Sequence, residues 1–396
     1  MRILVIAPQP FFVERGTPIA VRLLVETLGE GGHEVDLLAY PEGQDLAHLS
    51  VIRAARVPGI RNIPIGFSWK KVVADVFLCA TLVELVTTRK YDVVHAVEEA
   101  VFPAALLNTI LRSRLVYDMD SSLSDQLVEK WGGLQLVKRV MEGFENWALR
   151  RSDFVFPVCE RLAEKARKVL PESRVRVLED IAFEPSETAD GVDALRERFD
   201  VRGPLVMYVG NLEHYQGIDL LLEAAALVRA DLCFQLVVVG GSEEAIAHYQ
   251  GRADALGITA RVSFAGPKPF GQLPYYLSQA DVLVSPRIKG ENTPMKVYSY
   301  LASGKPVLAT NIGSHTQVLA EPCAVLAEPE AQAMADALTR LLEDERLRQQ
   351  VGEAGGALAR EKYSRQSYQS KLHDGYARLT APSSSLQHPE QFRAAP

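Results

Sequence analysis

Glu291, Asn292, Thr293, Pro294 and Lys296 lie in one short polar stretch between two apolar runs, residues 282–285 and 307–309. A carboxylate, a hydroxyl, a proline and an ammonium at this spacing suit an anion bound beside a neutral polyol. Thr293 followed by Pro294 reads as a side-chain cap and then the residue best tolerated at the first helical position. A helix starting near Pro294, just past the carboxyl end of a strand, presents free N–H groups and a partial positive charge to a phosphate. Lys296, on its first turn, adds a full charge, and Lys268, Arg287 and Lys289 are the other cations nearby in sequence. Glu291, upstream in the same loop, is then placed to accept hydrogen bonds from hydroxyl groups next to that phosphate.

Other residues carry chemistry less directly. Gly16 and Thr17 precede a helix and let the backbone approach a ligand, or form a simple turn and cap. Glu98 and Glu99 follow a strand at its carboxyl end, where they bind hydroxyls or serve as solvated helix-start charges, and His95 is either a core or a cleft residue. Cys79, Cys159, Cys233 and Cys323 are scattered singly, without the close pairs of metal or redox sites. No Ser/His/Asp or Cys/His constellation stands out.

The elements that must position these groups alternate between strand-like and helix-like patterns, which predicts parallel sheets with helices on both faces. Strands are expected at 2–7, 34–39, 93–96, 115–118, 154–157 and 175–178, and again at 205–209, 234–240, 262–265, 282–285, 307–309 and 324–326. The helix expected at 18–30, capped by Thr17, ends at Gly31 and Gly32. Gly304 and Pro306 end the helix that begins near Pro294. With 396 residues, two hydrophobic cores are the default. The reading is an α/β chain of two doubly wound, Rossmann-like domains facing across a cleft: residues 1–180, a linker at 181–203, residues 204–362, a C-terminal helix at 363–380 that packs back on the first domain, and a disordered tail at 381–396. No G-x-G-x-x-G follows a strand, and Gly240 with Gly241 alone does not make a dinucleotide site. The net charge of −7, with no nucleic-acid motif, excludes nucleic acid as a partner. The most apolar helix, 72–88, carries Asp75 and Glu84 and is read as buried rather than spanning.

Several motifs occur in an order that resembles the retaining, nucleotide-sugar-dependent glycosyltransferases of two-domain GT-B architecture, called family 4 or group 1. They are MRILVIAP (1–8), GGHEV (31–35), YDVVHA (91–96), VYDMDSSL (116–123), YVGNLEHYQGIDLLLEA (208–224) and ENTPMKVYSYLASGKPV (291–307). The resemblance implies that Glu291 lies beside the donor sugar. Eight residues on, where the family has a glutamate for the nucleotide ribose, this chain has Ser299. Where the family places an arginine and a lysine against the diphosphate, it has Asn211, next to Gly210, and Gln216. Charged donors stabilise a leaving diphosphate better than amides do, and losing one can cost roughly 3 kcal/mol. Lys296 is the replacement expected here. Asp120 stands where relatives carry a histidine near the reacting sugar. Asp118 and Asp120 also spell the metal-binding D-x-D of a one-sheet glycosyltransferase architecture, but two sheets are expected here, so Asp118 reads as a strand-end residue and Asp120 as an acceptor contact.

The resemblance thus implies transfer of a hexose, with retention, from a nucleotide diphosphate sugar to a saccharide or lipid-linked acceptor in surface-polysaccharide or glycoconjugate synthesis, without a metal or other cofactor. The expected location is the cytoplasm. Residues 51–71, with Arg53, Arg56, Arg61, Lys70 and Lys71 among apolar side chains, suit peripheral contact with the anionic inner face of the plasma membrane, or else a solvated loop. The rival readings are a degenerate protein that binds a nucleotide sugar or a partner without transfer, and a nucleotide-sugar epimerase.

Overall fold

The computed structural model describes residues 1–13, 16–56, 63, 68–111, 113–122, 135–182 and 191–380. It divides into two compact units. Among the described residues, the first holds those of 1–158, 162–178 and 369–380; the second holds those of 159–161 and 179–368. The chain beyond 380 lies outside the described residues.

The first unit is built on a six-stranded sheet of β1 (Arg2–Ala7), β2 (Glu34–Ala39), β3 (Ser50–Arg53), β4 (Val93–Val97), β5 (Arg114–Met119) and β6 (Phe154–Pro157), in spatial order 3-2-1-4-5-6. All the pairings are parallel. The second unit repeats the plan with β7 (Leu205–Val209), β8 (Gln235–Val239), β9 (Val262–Gly266), β10 (Val282–Ser285), β11 (Val307–Thr310) and β12 (Val325–Ala327), in order 12-11-10-7-8-9. These strands read as unbroken apolar runs because helices cover both faces of each sheet. Residues 3–7 and 236–238 are accordingly inaccessible to solvent, and two apolar clusters form in the second unit.

In each sheet the strand order reverses beside the first strand, between β1 and β4 and between β7 and β10. Ligands of doubly wound sheets bind beyond the strand carboxyl ends at such a switch point. The segments after β4, β7 and β10, which contain Glu98, Gln216 and Glu291, therefore emerge at the two functional edges.

Three local expectations change. Residues 175–178 do not join the sheet; Val175 makes only an isolated bridge to Val155. The edge strand β3 was missed, because SVIR is short and only partly buried. Thr17 is not a cap, since the helix Gly16–Glu30 already includes Gly16. Its end is as expected: Gly32 is left-handed (φ 78°) and His33 N–H reaches back to Leu28 O at 3.2 Å. Residues 191–203, read as linker, contribute Leu195 to the core of the second unit.

The C-terminal helix Arg365–Thr380 joins the first unit from Gln369. His95 Nδ1 and Tyr376 Oη are hydrogen bonded at 2.8 Å, and the imidazole stacks on Phe156. His95 is thus a core residue. Residues 57–62 and 64–67 of the basic segment, Arg61 included, lie outside the described residues. Arg53 is spent on local structure, donating to the carbonyls of Glu42 and Gln44 at 2.9 Å, and Lys71 pairs with Glu99. Two of its charges therefore face protein groups.

Candidate functional site

Lys296 is the centre of the second unit's switch point. It lies on the helix Met295–Ala302 and keeps part of its surface exposed. Its Nζ donates to Tyr208 Oη and to Gln216 Oε1, both at 2.9 Å, and stands 4.1 Å from the Tyr208 ring centroid. Tyr208 is positioned by β7, and its own proton goes to Asn211 O at 2.6 Å. Gln216 closes a short turn that ends at Gly217, whose left-handed backbone (φ 74°) lets it pass under Pro286 O; a Cβ there would collide with that oxygen. Gly210 leaves room for the lysine head group, since a Cβ on it would lie 2.7 Å from Nζ. No carboxylate among the described residues pairs with Lys296. Desolvation first, and the Arg287 guanidinium second, push its pKa well below the ordinary lysine value.

Arg287 follows β10, lies over the Tyr215 ring at 5.3 Å and donates to Asn292 O at 3.3 Å. The helix itself starts one residue later than expected. Pro294 is extended (ψ 131°) and occupies the cap position, accepting from Val297 N–H at 2.9 Å, so Thr293 makes no cap bond. The buried Thr293 hydroxyl lies beside Tyr298 instead. The N–H groups of Met295 and Lys296 at the start of the helix have no partner in its own ladder, on the same turn as the Lys296 side chain. Gly304 stops the helix in the left-handed conformation (φ 68°), as expected.

The other predicted residues separate into those that reach this centre and those that do not. Glu291 Oε1 pairs with Arg161 at 2.6 Å, while the buried Oε2 has no hydrogen-bond partner among the described residues. Gln317 Nε2 fixes the same loop by donating to Glu291 O at 2.8 Å. Gly240 serves the backbone: its N–H bonds Gly266 O at 2.8 Å, and its φ of 110° lets it cross against Gly210 O, which a Cβ would strike. Lys268 is tied to Asp193 and lies over the Tyr276 ring, so it is not the compensating cation. Ser299, 4% exposed, lines a separate cavity of about 350 Å³ with Leu277, Ser303 and Tyr363. His315 is fully buried between Ser285 Oγ (2.9 Å) and Thr310 O (2.9 Å), and burial lowers its pKa to about 4. It is a neutral brace under the site.

In the first unit, Gly16 opens its helix, and Asp120 lies just past β5 with partial exposure. Asp118 Oδ2 is 3.6 Å from His95 Nε2. A carboxylate cluster lies at the β1/β4 switch point. Glu98 has a left-handed backbone (φ 50°) and a pKa raised to about 7, first by burial and then by Glu99. Glu99 pairs with Lys71, and Asp75, bonded by Tyr40, is raised to about 6 by burial. Sequence reasoning singled out Glu98 and Glu99 but gave no site role to Asp75, whose signal was a carboxylate on a largely apolar helix. It also passed over Tyr208, whose signal was a hydroxyl at the carboxyl end of a buried strand.

Residues 195–357 match the family model of glycosyl transferases group 1, and residues 15–179 match that of a glycosyl transferase 4-like domain. Between them the two models cover most of the chain, and it belongs to the glycosyltransferases that they describe. This glycosyltransferase is 27% identical over 242 residues to an alpha-D-kanosaminyltransferase of Streptomyces kanamyceticus, covering 58% of this chain and 62% of that protein. It is 33% identical over 158 residues to a D-inositol 3-phosphate glycosyltransferase of Corynebacterium diphtheriae, covering 38% and 37%. It thus spans less than two thirds of the length of these curated relatives. Among solved structures, sucrose-phosphate synthase from Thermosynechococcus elongatus matches with a TM-score of 0.76 at 21% identity, over 96% of this chain and 98% of that one. HepE of Anabaena, solved with UDP-glucose, matches with a TM-score of 0.73 at 17% identity, over 95% and 99%. At these identities the likeness establishes the shared GT-B fold.

Proposed function

We propose that this protein transfers a hexose from a nucleoside diphosphate sugar to a saccharide or lipid-linked acceptor with retention of configuration. The observation that carries the reading is Lys296, a lysine with no carboxylate partner among the described residues, set beside Arg287 and a helix N-terminus at the switch point of the second sheet. Such a place favours a diphosphate over any neutral ligand. The UDP-glucose bound by HepE supports a donor of that class.

In this reading Lys296 and Arg287 stabilise the charge that develops on the leaving diphosphate, the term that dominates such reactions. Positive charge from the protein then does what a metal ion does in other transferases. Glu291 Oε2, buried and without a partner, accepts a hydrogen bond from a donor-sugar hydroxyl. With retention the acceptor attacks the face from which the diphosphate leaves, and the departing phosphate takes its proton, so no protein nucleophile is required. The carboxylates at Glu98, Glu99 and Asp75 suit an acceptor rich in hydroxyl or amino groups.

Donor screening with product analysis tests the reading. The expected products are a nucleoside diphosphate and a glycosylated acceptor. Binding of donors without turnover would leave a sugar-nucleotide binding protein in its place, and interconversion of free donors would leave an epimerase. Among the described residues no helix is long and apolar enough to cross a membrane.

A further inference from the structure

The two groups that hold Lys296 Nζ are both hydrogen-bond acceptors. Tyr208 has spent its only proton on Asn211 O, so its oxygen can only accept from the lysine, and Gln216 presents its carbonyl. A neutral amine has two N–H groups, which these two acceptors satisfy; an ammonium has a third, and no acceptor for it exists among the described residues. The charged and titratable groups around Nζ do not favour a third proton either. They are Tyr208 on β7, Arg287 after β10 and His315 after β11, with Tyr215, Tyr249 and Tyr300 next around Tyr208, and none is a carboxylate. A phosphate oxygen arriving beside Nζ would be the missing acceptor.

We propose that Lys296 is an uncharged amine in the free protein and takes up a proton as the donor diphosphate binds, so that the site gains its leaving-group charge only when a donor is present. This rests on the donor reading above. It makes donor affinity fall with rising pH, by up to about tenfold per pH unit between the free and bound titration points of the amine. It also lets Tyr208, Gln216 and Lys296 pack together without a buried, unpaired charge while the site is empty.

Calorimetry with UDP, GDP and ADP at pH 8.5, in two buffers of different protonation heat, measures the protons taken up. The nucleotide phosphates are fully ionised there, their last pKa lying near 6, so uptake reports on the protein. The expected result is uptake of up to about one proton, with Kd rising between pH 7.5 and 9.5. Lys296→Arg should bind without uptake and without that pH slope, because a guanidinium stays charged. Heats independent of buffer in the unmodified protein would overturn the proton coupling while leaving the donor site intact. Failure of all three nucleotides to bind would instead overturn the donor reading.

Discussion

Moving the lysine from position 296 to position 216 tests whether the two positions serve one charge. Gln216 Oε1 touches Lys296 Nζ at 2.9 Å, so an ammonium in place of that amide would stand about 4 Å from the first. Two like charges at about 4 Å repel by roughly 4 kcal/mol at the effective dielectric of a protein edge, or about three decades in an equilibrium constant. The site therefore holds at most one ammonium in the absence of a donor. Lys296→Met should cost roughly 3 kcal/mol in transition-state stabilisation, two to three decades in kcat. Gln216→Lys alone should gain no turnover, because its charge is opposed by the lysine already present. The double variant Gln216→Lys/Lys296→Met should recover most of the loss. The assay is donor turnover for the four proteins, read as a double-mutant cycle with urea unfolding as the folding control. A double variant as inactive as Lys296→Met, or effects that add within about 0.5 kcal/mol, would refute the idea of a single charge position served from either residue.

Three further outcomes follow from the same geometry. Gly240→Ala should destabilise the second unit by about 2–5 kcal/mol, since the new methyl strikes Gly210 O at a φ of 110°; Gly257→Ala, also left-handed but in open space, should cost about 1 kcal/mol in urea unfolding, and equal costs would contradict the collision. His315, held at about 4 in the folded state against 6.5 for a free histidine, leaves the unfolded chain binding more protons between those values. Stability is thus lost as pH falls through that window, by about 2 kcal/mol from pH 7 to pH 5. His315→Asn should lack this loss, and comparing the two proteins cancels the opposite trend from Asp75 and Glu98; a constant difference between them would exclude His315 as the source. Tyr376→Phe should cost about 1–3 kcal/mol by leaving the buried His95 Nδ1 without its partner, and an unchanged unfolding midpoint would show that the C-terminal helix does not depend on that bond.

Much of the fold was legible because strands covered on both faces are continuous apolar runs, and eleven of the twelve expected strand segments start within a residue of the observed ones. The exceptions follow from physical chemistry. Residues 175–178 are apolar enough for a strand yet only bridge β6, and β3 is too short and too exposed at a sheet edge to leave a pattern. The loop from Glu291 to Lys296 stood out in sequence by its residue types as the place for an anion, although Thr293 does not cap and the helix starts later. Lys268 was a second candidate for the missing positive charge in sequence, behind Lys296, but its charge is taken by Asp193.

By itself the sequence determined the doubly wound architecture, the positions of the strand ends and the kinds of group that cluster there, because periodicity and turn chemistry act over a few residues. Only the tertiary structure decided which cation is available. Tyr208, Gln216, Arg287 and Lys296 come from separate segments, and they meet only because β7 and β10 are neighbours at the point where the strand order reverses. Solvent exclusion, a missing carboxylate and the count of hydrogen-bond acceptors around one nitrogen are properties of that meeting, and none of them is written in any one segment of the chain.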